Sequence, residues 1–390
     1  MLDEALGGLH GVDALRRLAL DPLGHGVRAL LVDSDWNGDD LRLIRTKYKP
    51  SRKLTATYVL PDGRHVAVVW TGQPVQLTVS PRDDGMPQLA DLHDSAHRTD
   101  LLGFTGRVET IRYRPGQRHV LSVTSPDHDG VHLKMDRDDS GSRAVPVARA
   151  LGTLLADQCP DASVAEPIGY SADDRVAVWR TAQGAPLWTR LDGPEGEGGV
   201  HLVGRALRVL HDARPDDLPS TDVGARDAHV EIAATVRAGE HISALLPAVG
   251  SDYLALVDDV AAELDRIPTE APTFTHGDLK SDNVLASSEG VRLLDLDRCG
   301  PADPALDLAK FVADLRWWSS SDDDHAITLI DAFRSGYGAC DPARWDRAVP
   351  LTRLFQLKLA ARRCAVHDAS WESDVRARVA AAAPVLAGGA

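Results

Sequence analysis

Cysteine is scarce: Cys159, Cys299, Cys340 and Cys364 are the only four in 390 residues, and no two of them form a CxxC pair. That excludes a zinc knuckle and a redox dithiol. A disulfide framework does not suit a chain of this size, so free thiols in a reducing compartment are expected. Basic charge is also in deficit, with 43 Lys and Arg against 58 Asp and Glu and a net charge of −15. A chain so acidic, without basic runs, is not built to grip a phosphodiester backbone, and nucleic acid is not an expected partner. A small polar or cationic ligand suits it better. No stretch approaches the roughly 18 apolar residues of a membrane span. The opening MLDEALGGLHGVDALRRLAL carries Asp3, Glu4 and Asp13 where a signal peptide is basic and then apolar. The expectation is a cytoplasmic protein without a membrane partner. The 43% hydrophobic and 26% charged residues fit an ordinary globular chain of two or three lobes.

The first third alternates β-branched residues between Pro, Gly and Asp turns, which is the signal of strands and hairpins. Strands are expected around 43–49, 54–60, 65–70, 108–114, 119–124 and 131–135. Two stretches, KYKPSRKLTATYVL and RYRPGQRHVLSVTS, align at an offset of 65. Tyr48 then stands opposite Tyr113, Pro50 opposite Pro115 and Val69 opposite Lys134, which reads as a hairpin duplicate. Only the second copy carries a lysine in its third strand. From residue 142 the apolar spacing turns helical, with Val147, Leu151, Leu154 and Leu155 on one face and Ser142 as N-cap. EPIGY and RVAVWRT read as strands. GPEGEGG (193–199) reads as a flexible linker, placing a lobe boundary near 182–200. Amphipathic helices are expected at 201–213, 253–267, 304–318, 325–336 and 350–366. The fold class is thus α+β. Its domains are an N-terminal extension (1–107), a strand-rich lobe (108–185) and a helical lobe (186–390) with one strand pair among its helices.

The chemistry concentrates in FTHGDLKSDNVLASSEGVRLLDLDRCGPADPALDLAKF, residues 274–311. A hairpin closing between Asn283 and Asp295 brings an amide oxygen beside a carboxylate, the hard donors that Mg²⁺ takes while it keeps water and phosphate ligands. Asp278, one loop away, can accept or orient the proton of an attacking hydroxyl. H-G-D-L-K-S-D-N, then L-L-D-L-D, then D-P-A-L-D-L-A resembles the signature of the aminoglycoside phosphotransferase/choline kinase family, small-molecule kinases on a protein-kinase-like two-lobe fold. The resemblance implies an antiparallel-sheet N-lobe and a mainly helical C-lobe. It makes Asp278 the catalytic carboxylate, Asn283 and Asp295 the Mg²⁺ ligands, and Lys134 the lysine on the α/β-phosphates. His276 and Asp307 support the loop, and Asp297 is left open between a second-metal contact, a substrate contact and a solvated carboxylate. Pro115-Gly116-Gln117-Arg118 stands where the phosphate-covering loop belongs, making Gly116, Gln117 and Arg118 nucleotide contacts. RVAVWRT stands at the adenine hinge, and His211 is a core histidine.

The implied cofactors are Mg²⁺ and ATP (or GTP), the implied partner is a small hydroxyl acceptor, and the implied state is a monomer or homodimer. The acceptor is expected among antibiotics (aminoglycoside, peptide or nucleoside) or sugars. Two features depart from the pattern. The helix expected at 142–157 has no Glu to pair with Lys134, its only acid being Asp157, and no G-x-G-x-x-G is present. The missing Glu keeps a nucleotide-binding pseudokinase as the alternative. A protein kinase fits less well, because D-L-D replaces D-F-G and no A-P-E follows. Lys134 is expected either to be solvated or to be held by a carboxylate from outside that helix, Asp295 being the foremost candidate.

Overall fold

The computed structural model describes residues 11–21, 41–71, 76–214, 217–219, 226–319 and 322–383. Helix α1 (Val12–Leu20) precedes an antiparallel sheet in the order β1 (Arg42–Lys49), β2 (Lys53–Val59), β3 (His65–Trp70), β4 (Gln76–Val79). Alternation sets its faces. Leu54, Ala56, Tyr58, Val66, Val68 and Trp70 point one way and pack under Leu15 and Leu18 of α1. Leu54, Val66 and Val68 each contribute roughly 1.5–3 kcal/mol on burial.

Two short helices, α2 (Leu89–His93) and α3 (Ser95–Leu102), lead into a second antiparallel sheet. It contains β5 (Arg107–Arg114), β6 (Arg118–Thr124), β7 (Val131–Asp136), β9 (Pro167–Ser171) and β10 (Val176–Arg180), in the order β5-β6-β7-β10-β9. Tyr113, Leu121, Leu133 and Met135 form its inner face against Leu89 and Leu92 of α2. The opposite face carries Arg114, Arg118 and Asp136 in one cross-strand row and Arg112, Val120 and Lys134 in the next.

The two hairpins share their register at the offset of 65. Lys49↔Lys53 matches Arg114↔Arg118, Lys47↔Thr55 matches Arg112↔Val120, and Thr55↔Val69 matches Val120↔Lys134. Each first strand is bulged, at Ile44 and at Ile111, and both pairs return to a common register beyond the bulge.

Helix α4 (Ser140–Gln158) starts two residues before the expected N-cap. Ser142 therefore lies inside its first turn, and the missing N–H of Pro146 falls within the helix. The glycine-rich stretch read as a linker is instead the start of helix α5 (Pro194–Asp212). Pro194 opens it, Glu195 and Glu197 face the dipole of its first turn, and a Cβ on Gly196 would come within 2.5 Å of the Arg190 carbonyl oxygen. Composition suggested flexibility where the glycines instead permit close packing.

The rest is helical: α6 (Ala228–Leu245), capped by the Asp227 carboxylate, α7 (Pro247–Leu264), α8 (Ala305–Trp318), α9 (Asp323–Tyr337), α10 (Pro342–Arg363) and α11 (Trp371–Ala381). Among them a hairpin of β13 (Val284–Ser287) and β14 (Gly290–Leu293) is flanked by β11 (Ala185–Pro186) and, in parallel, by β8 (Ala162–Val164). A strand from the segment assigned to the N-lobe therefore belongs to the C-lobe hairpin in space. Strand β12 (Thr273–Thr275) pairs with β15 (Gly300–Ala302). Asp322 accepts from the His325 N–H and caps α9. All four cysteines are free. Among the described residues no helix is long and apolar enough to cross a membrane.

Candidate active site

The loop after β12 is shaped by one buried carboxylate. Asp307, in the first turn of α8, accepts the backbone N–H of His276 at 2.6 Å and of Gly277 at 2.8 Å. Its Oδ2 also lies 3.4 Å from Nε2 of His211, whose Nδ1 meets the Tyr337 hydroxyl at 2.7 Å. Burial would raise the carboxyl of Asp307, but these partners outweigh it and hold it at about 2. Gly277 has φ +78, and a Cβ there would collide with Nη1 of buried Arg226. That guanidinium donates to the carbonyls of Arg298 and Gly277. His276 is fully buried, which lowers its pKa, and its Nδ1 accepts the Asp278 N–H at 3.3 Å.

The loop presents Asp278 to the cleft. Its carboxylate pairs with Lys310 of α8, with Lys280 3.8 Å away, and Asn283 donates to its carbonyl at 2.9 Å. Burial alone would raise the Asp278 pKa. Lys310 and Lys280 override it and leave the carboxylate well below its usual range. Lys310 lies three residues beyond Asp307, so both face the same loop from one side of the helix. The sequence reading missed it, although the spacing within DPALDLAK was the available signal.

Across the cleft stands the second sheet. Lys134 Nζ lies 2.5 Å from Asp295 Oδ1 and 2.5 Å from Asp297 Oδ2. Arg118 donates to Asp136 at 2.5 Å and to Asp297 at 2.6 Å, with Asp295 at 3.5 Å. The expected partner Asp295 is present. Asp297 and Asp136 complete a lattice of three carboxylates and two cations that spacing alone did not reveal. Burial and the neighbouring Asp295 raise the Asp297 pKa. Burial also opposes ionisation of Asp295, but Lys134 and Arg118 lower its pKa. Asp295 adopts a left-handed backbone (φ 60, ψ 55), uncommon outside glycine and a recurrent mark of functional sites.

The turn at 114–118 is held from below. The Gly116 N–H goes to Asp83 Oδ2 at 2.7 Å, the same oxygen that takes the Tyr113 hydroxyl at 2.8 Å. Gln117 is exposed, and its carbonyl accepts from the Arg137 N–H. Of the three residues expected at this turn, Arg118 reaches the carboxylate lattice, while Gly116 is tied to Asp83.

Among the described residues no three His, Cys, Asp or Glu side chains cluster as a metal site, so a hard cation here would rest on Asp295 and Asp297 together with the Asn283 amide. The Asn283 amide group turns its N–H toward Asp278, and Asp297 Oδ1 is buried without a partner.

A strand-rich lobe and a helical lobe meeting at such a loop define a kinase-like fold, and the comparisons agree. The chain resembles a choline/ethanolamine kinase family protein from Mesorhizobium loti at 17% identity, covering 76% of this chain and 92% of that one, with a TM-score of 0.51. It resembles APH(2″)-IIia, solved with GDP and kanamycin, at 14% identity, covering 75% and 98%, with a TM-score of 0.52. It resembles amicoumacin kinase, solved with AMP-PNP, Ca²⁺ and its antibiotic, at 13% identity, covering 70% and 87%, with a TM-score of 0.51. No curated sequence matches it. Residues 88–377 match the profile described as the phosphotransferase enzyme family, and the chain belongs to that family.

Proposed function

We propose that this phosphotransferase moves the γ-phosphate of ATP or GTP to a hydroxyl of a small polar molecule, an antibiotic or a sugar, with Mg²⁺ as cofactor. The observation that carries this reading is the facing of Asp278 and Asn283 on one loop with Lys134, Arg118, Asp295 and Asp297 across the cleft. Asn283, Asp295 and Asp297 would hold Mg²⁺, which neutralises charge on the phosphates when bound. Asp278, kept ionised by Lys310, orients the acceptor hydroxyl and takes its proton as the new bond forms. Lys134 and Arg118 exchange their carboxylate partners for phosphate oxygens, so they meet the nucleotide already positioned. The pseudokinase reading rested on a Lys134 without its helix Glu, and the lattice supplies carboxylates from another direction. We place the residues before 107 as an extension whose hairpin lacks the strand lysine, since Val69 takes that register position.

The test is a nucleotide-consumption screen over antibiotics, sugars and amino alcohols, with mass spectrometry for an added phosphoryl group and Asp278→Asn as the control. Transfer to an acceptor that the control performs equally well would overturn the assignment.

A further inference from the structure

The turn between β5 and β6 has committed its backbone donors. Pro115 carries no N–H, Gly116 donates its own to Asp83 Oδ2 at 2.7 Å, and Gln117 donates to the Arg114 carbonyl at 3.0 Å. Gly116 has φ +62, a backbone that favours glycine at the second central position of a Pro-Gly turn. Turns bind anions through a concave row of free N–H groups. Residues 115–117 offer none, and the Asp83 carboxylate repels a second anion from the amide it holds.

Asp83 is buried and takes three donors. Besides the Gly116 amide, its Oδ2 accepts the Tyr113 hydroxyl at 2.8 Å, and its Oδ1 accepts the Gly85 N–H at 3.0 Å. The segment that carries it is anchored in turn. Met86 donates its N–H to the Asp83 carbonyl at 2.8 Å and packs in the core that holds Leu89, Tyr113 and Leu121. Gly85 touches the turn directly. A Cβ there would stand 2.7 Å from the Gly116 Cα, and that neighbour is backbone, which cannot swing aside as a side chain can. One polar contact and one steric contact therefore seat the turn on residues 83–86.

What this seat positions is Arg118, the residue after the turn. Its guanidinium reaches Asp136 at 2.5 Å and Asp297 at 2.6 Å, beside Lys134 on the cleft. The Arg137 N–H donates to the Gln117 carbonyl at 2.9 Å and fixes the turn from the β7 side. A turn released from Asp83 would move the Arg118 backbone with it, and a bound nucleotide would have to order both again. Asp83 and Gly85 precede the family-matched residues 88–377, so the seat is supplied by the N-terminal extension.

We propose that Asp83 is a positioning residue for the nucleotide: it fixes the 114–118 turn from beneath, so that the Arg118 side chain rather than the turn's amides meets the phosphates. The proposal rests on the phosphotransferase reading above. It gives the extension a part in phosphate binding through the seat of the turn, although its own hairpin lacks the strand lysine.

The test is titration of the full chain, with Mg²⁺, by fluorescent ATP and GTP analogues, followed by displacement with the unlabelled triphosphate and with its nucleoside. Asp83→Ala should weaken the triphosphate about tenfold, the scale of ordering one backbone residue again on binding, and leave the nucleoside within about twofold. Gly85→Ala keeps the carboxylate but displaces the turn; it should have the same effect, and it decides the outcome if Asp83→Ala does not fold. Tyr58→Phe removes a buried hydrogen bond to the Ala19 carbonyl elsewhere in the extension and should change neither affinity. A role in stability alone would not separate triphosphate from nucleoside. Triphosphate binding unchanged or tightened in either folded turn variant, or an equal loss for the nucleoside, would overturn the proposal. If the wild type binds neither analogue, the phosphotransferase reading falls as well. If it binds one and Lys134→Ala weakens it while the turn variants do not, only the Asp83 assignment falls.

Discussion

Replacing Asp307 by asparagine isolates what one buried charge contributes to the loop that carries Asp278. The carboxylate accepts two backbone N–H groups, from His276 and Gly277, and faces His211. An amide of the same shape keeps one oxygen and turns an NH₂ donor toward one of those donors. The carboxyl is held at about 2 against an ordinary 3.8, a difference equivalent to about 2 kcal/mol at neutral pH. Leaving a buried N–H without an acceptor adds about 1–3 kcal/mol, so Asp307→Asn should lose about 3–5 kcal/mol. The folded pKa is depressed, so this contribution is present above the unfolded value and disappears as pH falls toward 2. About half of the charge-dependent part should be gone at pH 3. Urea unfolding of both proteins at pH 7 and pH 3 should therefore show a gap that narrows by about 1 kcal/mol at the lower pH. The turn bearing Asp278 should also loosen, lowering kcat about tenfold or more. Equal urea midpoints, or a gap of the same size at both pH values, would refute the reasoning.

Asp278→Asn should reduce kcat by several orders of magnitude with nucleotide affinity nearly unchanged, while Asn283→Ala should also weaken Mg²⁺-nucleotide binding; titration with a fluorescent ATP analogue separates the two. Lys134→Ala should raise the nucleotide KM and lower kcat together, and Lys134→Arg should rescue little, because a planar fork replaces a compact ammonium between two carboxylates. The buried ion pair of Glu231 with Lys358 joins α6 to α10. Glu231→Ala should cost about 3–5 kcal/mol, and Glu231→Leu with Lys358→Met should recover most of it, as read from urea unfolding. Arg52→Ala with Lys53→Ala should keep nucleotide affinity within about threefold, because Arg52 pairs with Glu240 rather than facing the lattice. A hundredfold loss there would move the phosphate site to the first hairpin.

Legibility followed the range of the forces involved. The strands of both hairpins, the turn at 114–118 and the β13–β14 hairpin could be read because alternation and turn residues act over a few positions. Helix α6 was not, because its apolar face is broken by polar residues and its cap Asp227 is a common loop residue. The GPEGEGG stretch was misread for the same reason: glycine signals flexibility locally, whereas here Gly196 makes room for the Arg190 carbonyl, a contact only the packed chain creates. Asp278, Asn283 and Asp295 stand in one short segment and could be named from their spacing. Lys310, Arg226, Asp83 and Asp136 act from other elements, and a single sequence carries no sign of who faces whom.

By itself the sequence determined the chemistry that local order can encode. Residues a few positions apart on a strand, loop or helix turn are bound to meet, so the loop that carries Asp278 and Asn283, the nearby Asp295 and the repeated hairpin follow from their order. Only the tertiary structure decided the pairings between distant segments. It set Lys134 between Asp295 and Asp297, 161 and 163 residues away, and it brought Lys310 of α8 against Asp278. The physical reason is that charge interactions fall off with distance in space and take no account of separation along the chain.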